Sequence, residues 1–306
     1  MAMTSNIANH PDRLLPADPG VRAIARRLHS LVEDLPIISP HGHVDAAVIA
    51  DDVPFPDPTA LLISPDHYVT RVMHSAGVPL DKLRVGGTEG ATPREAWRIF
   101  CEHWPLYSGT ASGYWLRQEF VTVFGIDDEL ISPETADEAY DAVAARIAEP
   151  SFRPRALMGQ FGIEFLATTD DALDDLAPHD RLAADESFSP SVVPTFRPDS
   201  YIKFWMPGFA ERADQLIQAA GDGKAGYDGY IAAMANRRQY FVEHGAVSSD
   251  HGTHTADTLK LSRDEAAALF DKGMAGEATF EEGLAFEAHM MYQQAAMAVE
   301  DGLVMT

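Results

Sequence analysis

Leu35-Pro36-Ile37-Ile38-Ser39-Pro40 runs directly into His41-Gly42-His43. The apolar pair Ile37-Ile38, bracketed by prolines, reads as a short buried strand with two histidines at its end. In extended chain, residues i and i+2 point to one face, so the two imidazoles converge, and Gly42 removes bulk between them. Neutral imidazole suits zinc and other divalent first-row metals, and Asp45 follows closely. The competing reading is a structural histidine pair, since His-x-His arises often by chance.

Outward from this stretch, Leu14 to Val32 has apolar residues near helical spacing and reads as a helix. From about Pro58 to Gln160 no strand stands out. Apolar residues there recur every three or four positions, and Thr92-Pro93 and Ser132-Pro133 read as a cap followed by a first-turn proline. The rhythm then changes. Strands are expected at 163–169, running into Asp170-Asp171, at 191–196, running into Arg197-Pro198-Asp199, and at 245–249, running into Asp250-His251-Gly252. Helices are expected near 209–220, 230–244, 262–272 and 279–299, and 302–306 reads as a fifth strand. Strands alternating with helices mean parallel βα units, and polar residues at strand ends are how the working face of a (β/α)8 barrel reads. The organisation expected is a helical segment at 1–35, the first strand and its loop at 36–57, a helical insertion at 58–160, and βα units at 161–306. Five strands are fewer than the eight of a closed barrel, so the barrel is expected to be incomplete at the C-terminus.

The 306 residues are 46% hydrophobic and carry Asp+Glu 47 against Lys+Arg 23, a formal charge of −24. That acidic balance argues against nucleic acid or an anionic membrane as partner, because both need clustered cations. No apolar run is long enough for a membrane span, and the start, Met1 to Pro19, lacks the apolar stretch of a signal peptide. One cysteine, Cys101, excludes an intrachain disulfide and a Cys-rich metal site. A cytoplasmic location is expected.

Asp66-His67-Tyr68 precedes a helical pattern containing Arg71. Asp66 reads as an N-cap, while His67 and Tyr68 are surplus to capping and suit proton transfer at a carbinol carbon. Arg197 is either half of a salt bridge to Asp199 or a guanidinium that grips a carboxylate by two parallel bonds. Asp170-Asp171 and Asp174-Asp175, with His179 beyond, form an acidic cluster lacking the calcium-loop pattern, and Asp174 and Asp175 read as a solvated helix start. His251 could be a third metal ligand or a group behind the ligands, and Asp170 shares that ambiguity. His254, His289, His29, His74 and His103 read as ordinary surface or core histidines.

Together these segments resemble the uronate isomerase family, also called glucuronate isomerase, a divergent branch of the amidohydrolase superfamily. The resemblance rests on Pro40-His41-Gly42-His43, Asp66-His67-Tyr68 with Arg71 and Gly77-Val78, Thr168-Thr169-Asp170-Asp171 with Asp174-Asp175-Leu176, Thr195-Phe196-Arg197-Pro198-Asp199, and Ser249-Asp250-His251-Gly252, in family order. It implies a metal-dependent-hydrolase barrel with a helical insertion after the first strand. It also implies interconversion of D-glucuronate with D-fructuronate, or D-galacturonate with D-tagaturonate, by proton transfer through an enediol. His41 and His43 would bind one divalent ion, Zn2+ first and Mn2+ as the alternative. His67, Tyr68 and Arg197 would contact the hexuronate, with Arg71 on the same family motif. Family members continue with further strands, one of which carries an aspartate of the metal site, so the 306-residue chain is expected to be inactive alone. The alternatives are a hydrolase on the same barrel and a binding module on a degenerate one. A homo-oligomer is left open.

Overall fold

The computed structural model describes residues 10–87 and 90–306. Part of the polar start, residues 1–9, therefore lies outside the described residues. The chain divides into two compact units, one of Met1–Leu35 with Asp52–Phe161 and one of Pro36–Asp51 with Gly162–Thr306.

The second unit is α/β. Its strands are β1 (Ile37–Ser39), β2 (Ile163–Ala167), β3 (Asp170–Asp171), β4 (Ser191–Val193), β5 (Thr195–Arg197), β6 (Ser248–Ser249) and β7 (Val304–Met305). They form two ladders, β1-β2-β4 and β3-β5-β6-β7, and every pairing is parallel. Pro194 alone separates β4 from β5, and a proline has no N–H to give the ladder. The Thr168 N–H donates to the Val193 carbonyl at 3.0 Å across that break. Five chain segments thus lie side by side in sequence order, in the number and places the sequence predicts. Parallel neighbours need long crossovers, and helices supply them. Ala177–Ala183 follows β3, Phe209–Ala220 and Gly226–Glu243 follow β5, and Arg263–Ala275 and Phe280–Asp301 follow β6. Their apolar faces close a core around Phe196, Tyr230, Phe241, Phe270 and Phe286.

The first unit is helical throughout its described residues, as the three-to-four spacing predicts. Its core gathers Met73, Trp97, Phe100, Tyr107, Phe120 and Val143. Trp97 Nε1 donates to the Ala136 carbonyl at 3.0 Å, and the Tyr107 hydroxyl donates to the Val69 carbonyl at 2.7 Å, so both polar tips are satisfied inside the core. Thr92 and Glu95 form a reciprocal capping box at the helix Pro93–His103. Ser132-Pro133 does not start a helix. The Ser132 hydroxyl instead pairs with Thr135 Oγ1 at 2.7 Å in a turn, and the helix begins at Ala136. The helix expected at 14–32 is confined to Pro19–His29, because Asp18 caps it and Pro19 sits in its first turn. Its apolar stripe is not buried, with Val21, Ile24 and Leu28 all at least half exposed. Among the described residues no helix is long and apolar enough to cross a membrane.

Candidate active site

The polar residues of the second unit collect at the carboxyl ends of its parallel strands, where ligands bind in open α/β sheets. β1 stops at Ser39, so His41 and His43 lie in the loop beyond it rather than within extended chain. Their convergence comes from that loop. The two rings meet edge to face with centroids 4.8 Å apart, and Nε2 faces Nε2 at 3.2 Å. Gly42 is pinned beneath them, its carbonyl accepting from Thr169 Oγ1 at 2.7 Å. A Cβ on Gly42 would stand 3.3 Å from the Ala167 carbonyl, so the close approach to β2 favours glycine.

The histidine pair fits a metal on geometric grounds. Two imidazole nitrogens bound to one tetrahedral zinc, each at about 2.05 Å, stand roughly 3.3 Å apart. Among the described residues no third His, Cys, Asp or Glu completes a cluster around them. Both rings are exposed, which leaves the remaining positions open to other donors.

Asp170 is otherwise engaged. Its Oδ2 accepts from Thr168 Oγ1 at 2.7 Å and from the Thr195 N–H at 3.0 Å, tying β3 to β5. Thr168 Oγ1 also lies 2.8 Å from Nε2 of the buried His179. Burial, the largest influence on both groups, pushes the Asp170 carboxyl up and the His179 imidazole down. Asp174 and Asp175 accept the N–H groups of Leu176 and Ala177 at 2.7 and 3.0 Å, turning the chain into the helix Ala177–Ala183.

Arg197 forms the salt bridge to Asp199 that is one of its two expected readings. Its Nε donates to Asp199 Oδ2 at 2.9 Å and lies 3.3 Å from Asp250 Oδ2, so two carboxylates gather at that one nitrogen. His251 lies nearby on the same loop as Asp250. Its Nε2 is 3.0 Å from Ser249 Oγ, its Nδ1 is buried without a partner, and its backbone N–H donates to the Thr306 carbonyl at 3.1 Å. Burial first, then the charge of Arg238, pushes the imidazole down to about 4. His251 is therefore neutral at physiological pH, with a ring nitrogen free to accept or ligate.

His67, Tyr68 and Arg71 belong to the first unit. Asp66 caps their helix, His67–Ser75, by accepting the Tyr68 N–H at 2.7 Å, as its sequence position predicts. The His67 and Tyr68 rings lie 4.2 Å apart, and the Arg71 guanidinium stacks 4.4 Å from the Tyr68 ring centroid. No ion pair holds Arg71 among the described residues, so its bidentate edge is free for an anion.

Sequence reasoning missed Glu119. It opens a π-helical turn, Glu119–Val123, a distortion frequent at functional sites. Desolvation first, then the charge of Asp66, pushes its carboxyl from 4.5 up to about 7. A raised carboxyl pKa means that folding favours the neutral form. The associated stability is present below 4.5 and is lost as pH rises through 7. Glu119→Gln is expected to leave stability near pH 4.5 unchanged and to raise it by about 2–3 kcal/mol at pH 8, read by urea unfolding at the two pH values.

Comparison with known proteins identifies the family. A family model described as glucuronate isomerase matches residues 21–306. Uronate isomerases of Corynebacterium efficiens and Corynebacterium glutamicum are 62% and 61% identical, each over 99% of this chain. The chain spans 65% and 59% of their respective lengths. The crystal structure of glucuronate isomerase from Caulobacter crescentus superposes with a TM-score of 0.91 at 41% identity, covering 98% of this chain and 63% of that one. Uronate isomerase from Thermotoga maritima superposes at 0.82 with 29% identity, covering 92% and 61%. The chain belongs to the glucuronate isomerase family.

Proposed function

We propose that this chain works in hexuronate isomerisation, converting D-glucuronate to D-fructuronate or D-galacturonate to D-tagaturonate on a (β/α)8 barrel. The observation that carries the reading is the His41–His43 pair, Nε2 to Nε2 at 3.2 Å beyond the carboxyl end of β1. These two residues would hold one divalent ion, Zn2+ or Mn2+. Such an ion, when bound, polarises a carbonyl oxygen and stabilises the negative charge that develops on it.

The other residues have separate tasks. Arg71, uncommitted and stacked on Tyr68, suits the carboxylate that distinguishes a hexuronate from a neutral sugar. Arg197 gives its Nε to Asp199 and Asp250, and its Nη1–Nη2 edge suits the two oxygens of a carboxylate. His67 and Tyr68 supply an imidazole and a phenol for moving the C2 proton. His251 stays neutral and contributes an acceptor. A charge of −24 does not oppose an anionic substrate decisively, because fields beyond about 8 Å are screened at physiological salt.

The test is saturation-transfer NMR with D-glucuronate, D-galacturonate and the methyl ester of glucuronate. Transfer to the two acids, little transfer to the ester, and at least a tenfold weaker signal for Arg71→Met are expected. Equal binding of acid and ester would remove the carboxylate from the reading.

A further inference from the structure

Both backbone polar groups of Gly252 are held by one ion pair. Its N–H donates to the carboxylate of Asp199, 3.1 Å from each oxygen, and its carbonyl accepts from Lys203 Nζ. Lys203 and Asp199 are four residues apart, with Nζ 3.6 Å from Oδ2, and their side chains are only 15% and 14% exposed. The same Asp199 oxygen takes Arg197 Nε at 2.9 Å. A Cβ on residue 252 would stand 2.7 Å from Asp199 Oδ2 and 3.0 Å from Arg197 Nη2. A larger residue at 252 would thus have to push the Asp199 carboxylate aside. Two cations, Arg197 and Lys203, balance two carboxylates, Asp199 and Asp250, so the cluster is neutral beside a desolvated imidazole.

We infer that Lys203 and Asp199 are a clasp on the loop Asp250–Gly252, which makes Lys203 a positioning residue for His251. Gly252 follows His251 directly, and on the other side the His251 N–H is fastened to the Thr306 carbonyl. With the peptide groups on both sides of the ring fixed, the unpartnered Nδ1 is held in one place instead of sweeping with a free loop. Lys203 acts through the backbone and leaves the ring chemistry to His251. That His251 serves a sugar rests on the isomerase reading; the clasp itself does not.

Lys203→Met keeps most of the side-chain length and removes the donor, and Lys203→Arg restores a donor. Amide hydrogen exchange of Gly252 is expected to quicken at least tenfold in Lys203→Met and to stay within about threefold in Lys203→Arg. Amides of the helix Gly226–Glu243 should stay unchanged, which shows that the fold survives. The His251 ring resonances, assigned by their loss in His251→Ala, are expected to shift in Lys203→Met and return in Lys203→Arg. A folded Lys203→Met with unchanged Gly252 exchange and unchanged His251 resonances would overturn the clasp. Both readouts are taken without sugar. A failure of the chain to bind D-glucuronate, measured separately, would count against the isomerase reading and leave the clasp intact.

Discussion

Replacing His41 and His43 together by alanine is expected to weaken Zn2+ binding by about a thousandfold or more, roughly 4 kcal/mol. Two facing ring nitrogens 3.2 Å apart can share one proton, or they can turn both lone pairs onto a cation. The spacing admits either, and it is close to that of two ligands on one tetrahedral metal. With both imidazoles gone, Asp45 is left as a single carboxylate whose Oδ1 also accepts the Ala47 N–H at 2.8 Å, a much weaker site than two converging nitrogens. Isothermal titration with Zn2+ measures the loss directly. Since a preformed pair exists only in the folded chain, Zn2+ should also raise the unfolding midpoint of the natural protein and leave the double variant unmoved.

Arg238→Ala is expected to cost about 3–5 kcal/mol of stability and to lower the thermal midpoint by roughly 10 °C. The Arg238 side chain is fully buried. Its Nε and Nη2 donate to the two oxygens of Asp301 at 2.5 and 3.0 Å, and Nη1 donates to Gln294 Oε1 at 2.8 Å. Truncation strands a mostly buried carboxylate and a fully buried amide, and it opens a gap beside the Phe196 ring, 5.6 Å from the guanidinium. The damage is specific in place. Asp301 ends the helix that delivers the chain to β7, so loosening it should free the Thr306 carbonyl that fastens the His251 N–H. Arg238→Met, which fills the space without the charge, should recover only the packing part. A thermal melt and a urea curve on both variants separate the two contributions.

Much of this was legible because it depends on local periodicity. The helix Phe209–Ala220 lies where its apolar spacing puts it, and Asp66 caps the helix carrying Tyr68 and Arg71 as its side-chain chemistry predicts. The helical first unit and the parallel strands of the second were readable for the same reason. The histidines are legible as a pair, but strand geometry does not make them converge: the strand ends at Ser39, and the loop beyond it, with Gly42 packed on β2, brings the rings together. What could not be read depends on distant partners. The spacing of Lys203 four residues from Asp199 signals an ion pair, but its carbonyl partner lies 49 residues away at Gly252. Glu119 sits amid apolar neighbours in a helical pattern, and nothing in that pattern shows that Asp66, far off in sequence, faces it in a desolvated turn. The pairing of Arg197 with Asp199 could be foreseen from their spacing, but the second carboxylate, Asp250, arrives from β6.

The most direct test of the isomerase account is the fate of the C2 proton. This chain spans 65% of the length of its 62%-identical relative. The protein tested would therefore carry it continued to the full family length, loaded with Zn2+ or Mn2+ and incubated in D2O with D-glucuronate and with D-galacturonate. The C2 signal would be followed by proton NMR. The account predicts that this signal is lost to deuterium from solvent and that the loss is abolished in the His41→Ala, His43→Ala variant. A chain that holds both metal and sugar yet leaves the C2 proton in place, while hydrolysing a sugar lactone or an amide, would contradict it.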